Sequence, residues 1–200
     1  MKNLVIISVF IMGGLSCMAQ DIKLPAPTKT GGKPLMEALN ERQSDRDFSD
    51  KELSPQTLSD LLWAAYGFNR EDKRTVPSSQ NRQEMDLYVF LKSGVYFYDA
   101  KAQKLILKVK GDNQAKTGSQ PFVAVAPVNI VFVANLDKAS NRDAALIDCG
   151  FISQNIYLYC ASEGLISVVR GSVNKTAIRQ LLEFGGKQEV LLAQTVGYKK

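Results

Sequence analysis

Histidine is absent from the 200 residues of this chain. The absence excludes a Ser-His-Asp triad, a Cys-His pair and every metal site that needs an imidazole ligand, and we predict no metal site. Cysteine is scarce too, because beyond the first 20 residues only Cys149 and Cys160 remain, both in one long predicted helix. Their Cα atoms would lie about 16 Å apart along that helix, too far for a disulfide. We therefore predict two buried thiols and expect any redox chemistry to come from a bound cofactor.

A strong charge of either sign is also missing. The formal net charge is +5, from 25 Lys and Arg against 20 Asp and Glu, and Lys2, Lys199 and Lys200 supply part of the excess. No basic stripe is interleaved with aromatic residues, so nucleic-acid binding is not expected. An apolar content of 45% is typical of a soluble globular protein. About 180 residues remain after a short leader, enough for one domain.

Residues 1–19 have the pattern of a signal peptide. Lys2 precedes an apolar run over 4–15, and small residues follow it. That run is shorter than the roughly 20 residues that span a bilayer, which disfavours a membrane anchor. Lipid attachment at Cys17 is a further alternative, but residues 14–16 match the usual lipoprotein box poorly. We predict ordinary export, with a periplasmic or secreted mature protein.

The remaining chain is predicted to be an extended arm over 20–33, rich in Pro and Gly, followed by one domain over 34–200. Short apolar bursts separated by turn residues predict strands, and apolar residues three and four apart predict helices. The predicted strands cover 85–92, 94–100, 104–110, 128–135, 165–169 and 189–198. A short helix is predicted to begin at Pro34, and three further helices are predicted over 53–68, 141–163 and 174–184. The fold class is therefore α+β.

Four polar segments are candidates for chemistry. Within "ERQSDRDF", Arg42, Ser44 and Arg46 occupy alternate positions; "RTVPSSQNRQ" covers 74–83, "VVRGSVN" covers 168–174, and "TVGYKK" closes the chain. Each of them, taken alone, is also compatible with an ordinary solvated surface.

Together and in this order, the segments resemble the nitroreductase family. The resemblance includes Arg-x-Ser-x-Arg-x-Phe at 42–48, "LLWAAYGFNR", "PSSQNRQ", "DCGFISQNIYLYCASEGL", "VVRG" and "VGY". The stretch "SGVYFYDAKAQKLILKV" further resembles the SagB-type dehydrogenase/oxidase subgroup, which includes oxidases of heterocyclised peptides.

The resemblance implies an FMN-dependent oxidoreductase with a mostly antiparallel central sheet flanked by helices, in an intertwined homodimer. Arg42, Ser44 and Arg46 would lie on one side of an extended segment and hold the FMN phosphate by charge-assisted hydrogen bonds. Many relatives continue beyond "VGY" and place another basic residue on the phosphate. In this chain either Lys199 or Lys200 would take that role, or the phosphate would be bound more weakly.

By the same resemblance, four residues would line the isoalloxazine of the partner subunit's flavin: Pro77, Ser78, Ser79 and Asn81. Gly171 would bring a backbone N–H to the N5/O4 edge, because glycine allows close approach. Arg170 would lie beside the ring and favour its anionic reduced form.

The implied reaction is ping-pong hydride transfer through flavin N5 on a small-molecule substrate that the sequence does not identify. No catalytic side chain is predicted. Export leaves the electron donor open, since NAD(P)H would serve only if it has access. Two alternatives remain: an exported flavin-binding protein, and a cofactor-free dimeric binding protein of the same fold.

Overall fold

The computed structural model of the protein describes residues 20–200, so the predicted signal peptide at 1–19 lies outside it. The strands are β1 (Ile22–Lys23), β2 (Met85–Leu91), β3 (Gly94–Asp99), β4 (Lys104–Lys110), β5 (Val128–Asn135), β6 (Ile166–Arg170) and β7 (Gln188–Gly197). The helices are α1 (Leu35–Glu41), α2 (Pro55–Tyr66), α3 (Phe122–Val125), α4 (Arg142–Ser162) and α5 (Lys175–Leu181). The predicted α+β class is confirmed.

The strands form one antiparallel sheet in the order β1-β4-β3-β2-β5-β7-β6. Strand β5 is buried along its length except at its last residue, as predicted from its continuous β-branched sequence. It pairs with β2 on one side and β7 on the other. Strand β6 is last in the strand order and forms one edge of the sheet. The candidate site lies along that edge.

Helices α2 and α4 cover one face of the sheet. Ser54 caps α2 by accepting a hydrogen bond from the Thr57 N–H, and Asn141 caps α4 in the same way from Ala144. The apolar side of α2 is buried as predicted, and so are the two cysteines, which are unbridged. Helix α5 packs on the opposite face, where Ile178 belongs to a second apolar cluster with strand residues of β2, β3, β5 and β7.

Several features differ from the sequence prediction. The arm contributes β1, whose two residues pair with β4, because extended backbone with exposed N–H and C=O groups can join a sheet edge. Helix α3 lies in a stretch for which periodicity gave no signal, since four residues are one turn.

Among residues 20–200, no helix combines the length and apolar character needed to cross a bilayer.

Candidate functional site

The segment after α1 is extended and lies along the outer edge of β6. The Asp45 N–H donates to the Ser167 carbonyl at 3.0 Å, and Phe48 forms a β-bridge with Lys199. Alternate side chains point to opposite sides, since Ser44 contacts Tyr157 while the Asp45 carboxylate reaches Lys199. The predicted alternation over 42–46 is therefore present.

Tyr157 of α4 organises this part of the site. Its hydroxyl oxygen lies 2.8 Å from Ser44 Oγ, and it accepts a hydrogen bond of 2.8 Å from the Val169 N–H. The Arg42 guanidinium lies 5.3 Å from the centre of the Tyr157 ring, within the range of a cation–π contact. One side chain thus fixes Ser44 and Arg42 beside the carboxyl end of β6.

The positive charge here is only partly balanced. Neither Arg42 nor Arg46 has a carboxylate within ion-pair distance among residues 20–200. Lys199 differs, because its Nζ lies 3.1 Å from Asp45 Oδ2. The Asp47 N–H and, more weakly, Lys199 lower the pKa of the Asp45 carboxyl, so this carboxylate stays ionised at neutral pH. Two guanidiniums and one hydroxyl match the donors that a phosphate monoester requires.

Gly171 follows directly after β6 and is exposed, with open space beside its Cα atom. A Cβ added to it would meet no atom within 4 Å, and its φ does not lie in the left-handed region. Neither packing nor backbone conformation within the chain therefore requires glycine here. The open position fits close approach of a ligand to the backbone.

The polar loop at 74–83 contains strained backbone and is attached to α4 by a hydrogen bond. Gln80, Asn81 and Gln83 have φ values of 53°, 56° and 50°, which non-glycine residues adopt at a cost. The Ser79 N–H donates to Asp148 Oδ2 at 2.9 Å. Ser78 Oγ accepts from the Gln83 N–H at 3.0 Å.

This loop and the Ser44 segment attach to different parts of α4. Asp148 and Tyr157 are separated by about 13 Å along the helix axis. The structure brings together Arg42, Ser44 and the backbone at 169–171, but within one chain it does not bring the loop of Pro77, Ser78, Ser79 and Asn81 to them.

Arg170 has a different environment from the one predicted. Its side chain is 3% exposed and points to the face of β6 opposite Ser167 and Val169. There it donates to Thr117, Asn129, Thr195 and the Ser172 carbonyl at 3.0–3.4 Å. The guanidinium is thus inside the protein, beneath the backbone that leads to Gly171, and is not on the open side.

Sequence reasoning missed the residues that position the site. Tyr157 is one of several aromatic residues in α4, and nothing in its spacing distinguishes it. Glu84 and Asp148 are both buried, 1% and 3% exposed, and lie next to one another. Neither oxygen of Glu84 finds a hydrogen-bond donor among the described residues. A buried carboxyl with a second carboxyl beside it retains its proton more readily, and no local sequence pattern indicates that Glu84 and Asp148 meet.

The carboxyl pair gives a testable pH dependence. Burial, with Asp148 adding to it, raises the pKa of Glu84 from 4.5 to about 7. Between these values the folded state retains a proton that the unfolded chain releases, so stability falls as pH rises through this window and the loss is complete above it. At pH 8, Glu84→Gln should be more stable than the wild type by up to about 3 kcal/mol.

Urea denaturation of both proteins at pH 5 and pH 8 measures this difference. Glu71→Gln is the control, since Glu71 is exposed and its replacement should leave the pH dependence unchanged. An identical pH dependence in Glu84→Gln and the wild type would rule out the buried pair.

An apolar stripe of α4 is left exposed. Ile147 is 59% and Phe151 43% exposed, and Gly150 and Gln154 complete the same face at helical spacing. A Cβ at Gly150 would meet nothing within 4 Å, so the chain alone gives no packing reason for glycine inside a helix. Apolar residues of α1 are exposed as well: Leu35 at 62%, Met36 at 75% and Leu39 at 43%. Exposed apolar surface of this kind is typical of interaction faces.

Comparison with known proteins gives a consistent result. The family model described as the nitroreductase family matches residues 39–198. A crystal structure from Ralstonia eutropha JMP134, named as a nitroreductase, is 37% identical, with a TM-score of 0.85 and coverage of 93% of this chain and 92% of that one. A Methanocaldococcus jannaschii protein, also named as a nitroreductase, is 29% identical over 182 residues, which cover 82% of this chain and 91% of the relative. An FMN-dependent nitroreductase of Clostridium difficile R20291 shares the fold, at 21% identity and a TM-score of 0.58 over 82% of this chain and 87% of its own.

Proposed function

This chain belongs to the nitroreductase family and is a flavin-type oxidoreductase, and from that premise we propose that its cofactor is FMN. The observation that carries the proposal is the arrangement of two guanidiniums and a hydroxyl at 42–46. Ser44 and Arg42 are fixed by Tyr157, and neither arginine has a carboxylate partner within residues 20–200. A phosphate monoester supplies the missing negative charge.

The residues present fit the cofactor at both ends. Arg42, Ser44 and Arg46 would hold the phosphate. Lys199 already forms an ion pair with Asp45, so it would contribute less positive charge to the phosphate site. The open backbone at Gly171 would lie against the isoalloxazine edge. Arg170 would act from beneath this backbone, because its guanidinium is fully engaged inside the protein.

We further propose that a second copy of the chain completes the site. The strained loop at 77–81 is attached to α4 about 13 Å along the helix axis from the Ser44 segment, and the exposed apolar stripe of α4 offers a surface for a self-complementary contact. In the proposed homodimer, the 77–81 loop of the partner subunit closes the ring site.

The proposed reaction requires no catalytic side chain, because the cofactor supplies the redox chemistry. When bound, FMN supplies hydride transfer at N5 in two half-reactions, so donor and acceptor bind in turn. The chain would position the ring and keep water away from it on the protein side, with a small-molecule substrate binding from the open side. No histidine is available as a general base, and we assign no side chain to that role.

We also propose that the mature protein is exported after removal of the leader at 1–19. The experiment must therefore test electron donors other than NADH and NADPH. We expect the FMN-loaded dimer to be reduced anaerobically by dithionite, and by NADH or NADPH only if it retains a nicotinamide site. Reoxidation by a panel of nitroaromatic and quinone acceptors, followed by visible absorbance, tests turnover. Flavin that is bound but is neither reduced nor reoxidised would favour a flavin-binding protein, and absence of bound flavin would favour a cofactor-free binding protein.

A further inference from the structure

A cavity of about 470 Å³ lies at the end of the sheet where β2 begins and β3 and β5 end. Its volume is within the range of small-molecule sites, about 300–1,000 Å³. Apart from Asn81, its lining residues have no role in the function proposed above. Four of them are cations: Arg74, Arg82, Lys101 and Lys138. Within the described part of the chain, none of the four has a carboxylate at ion-pair distance.

Arg74 is half-buried and held in one orientation. Its guanidinium carbon lies 3.8 Å from the centre of the Tyr66 ring and 4.4 Å from the centre of the Phe68 ring. Nε donates to Gln83 Oε1 at 3.0 Å and Nη1 donates to the Tyr66 carbonyl at 2.7 Å, whereas Nη2 has no hydrogen-bond acceptor among the described residues. Burial lowers the pKa of Arg74, because the charge is poorly solvated there. A bound anion would stabilise this cation.

Two carboxylates near the cavity do not neutralise it. Asp99 lines the cavity, and its Oδ1 accepts hydrogen bonds from two N–H groups of the following turn. Asp86 is half-buried, and burial raises the pKa of its carboxyl while the charges of Lys138 and Arg74 lower it. Four cations against two carboxylates leave a positive excess, and a cleft with an excess of one sign attracts ligands of the other.

The remaining walls are aromatic and amide groups. Phe68 and Phe97 contribute half-buried rings. Gln83 joins two parts of the cavity, since its Nε2 donates to Asn81 Oδ1 at 3.0 Å while its Oε1 accepts from Arg74. Aromatic rings bind flat apolar groups, and a guanidinium matches the geometry of a carboxylate. An aromatic carboxylate combines both properties.

We infer that this cavity is a binding site for an aromatic carboxylate, with the carboxylate group on Arg74 and the ring against Phe68 and Phe97. The inference goes beyond the proposed function, because one chain forms the cavity and binding there requires neither flavin reduction nor turnover. Asn81 connects the cavity to the loop at 77–81. A bound acid would therefore lie beside the segment that we propose closes the ring site of the partner subunit.

The test is direct binding of 2-naphthoate to the mature protein with FMN in excess, measured by equilibrium dialysis. The neutral analogue 2-naphthamide has nearly the same size and shape. The wild type should bind the acid at least about tenfold more tightly than the amide, because hydrogen bonds to a charged group are stronger than those to a neutral one. Arg74→Gln should abolish this preference and leave the affinity for the amide unchanged.

Arg179→Gln is the matched control. Arg179 is also half-buried and donates only to neutral carbonyls, those of Phe184, Gly185 and Gln188. It does not line the cavity, so its replacement should leave the preference for the acid at the wild-type value.

A second variant covers the case in which Arg74→Gln does not fold. Lys101 and Lys138 are both exposed, so Lys101→Gln/Lys138→Gln should fold and bind 2-naphthoate about threefold or more weakly than the wild type, with the amide unaffected. Equal affinity of the wild type for acid and amide would overturn the inference. So would a full preference for the acid in folded Arg74→Gln or in the double variant. The proposed function is tested separately by the flavin content, which these measurements do not use.

Discussion

The Arg42→Ala/Arg46→Ala double variant is expected to bind FMN about 10²- to 10⁴-fold more weakly than the wild type. Each lost charged hydrogen bond costs about 1.5–3 kcal/mol, and together they correspond to this range of dissociation constants. Arg46 is exposed and Arg42 is half-buried against the Tyr157 ring, and neither has a carboxylate partner in the part of the chain that the structure describes, so the fold should lose at most about 1 kcal/mol. Isothermal titration of the apo-protein with FMN measures the change.

Riboflavin provides the sharpest comparison, because it lacks the phosphate. The wild type and the double variant should bind riboflavin with equal affinity if the two arginines act on the phosphate alone. Arg70→Ala is the control for a general loss of positive charge, since Arg70 is exposed and its guanidinium donates a hydrogen bond to the neighbouring Asn69. Equal losses of FMN and riboflavin affinity would refute the assignment of the phosphate to this segment.

Phe151→Asp is expected to convert the proposed dimer to monomers and to remove bound flavin in the same step. An aromatic residue at the centre of an interface contributes about 2 kcal/mol or more. A two-fold interface contains the substitution twice, so dissociation should become roughly 10³-fold more favourable. The flavin should be lost because the 77–81 loop of the partner subunit would no longer close the site. Light scattering on gel-filtered protein, with absorbance recorded in line, follows both effects.

Val125→Asp is a control of matched exposure. Val125 and Phe151 are each 43% exposed, but Val125 lies on the single turn of α3 and outside the apolar stripe of α4. Its replacement by aspartate should leave both the molar mass and the flavin content unchanged. A Phe151→Asp monomer that retained all its flavin would show that one chain holds a complete site.

The parts of the fold that local chemistry determines could be predicted from the sequence. Ser54 and Asn174 cap their helices as their positions indicate, and β5 is buried as its run of β-branched residues indicates. Strand β1 could not be predicted, because two residues carry no periodicity and their pairing partner lies about 80 residues away.

The candidate site was predictable in its residues but not in its contacts. The segment at 42–46 could be recognised from alternate basic and hydroxyl residues, yet its anchor on Tyr157 depends on a helix more than 100 residues distant. Arg170 was expected beside the ring, although strand alternation turns its side chain away from the face of Val169. Its buried position depends on Thr117, Asn129 and Thr195, which meet only in the folded sheet.

The central claim is that this chain binds FMN, and the flavin content of the mature wild-type protein tests it most directly. Protein purified without its leader, incubated with FMN and passed through gel filtration should carry flavin with the visible absorbance of the bound ring, at one FMN per chain in a dimer. Protein that elutes as a folded species without flavin would contradict the account, and the cations at Arg42 and Arg46 would then require a different anion.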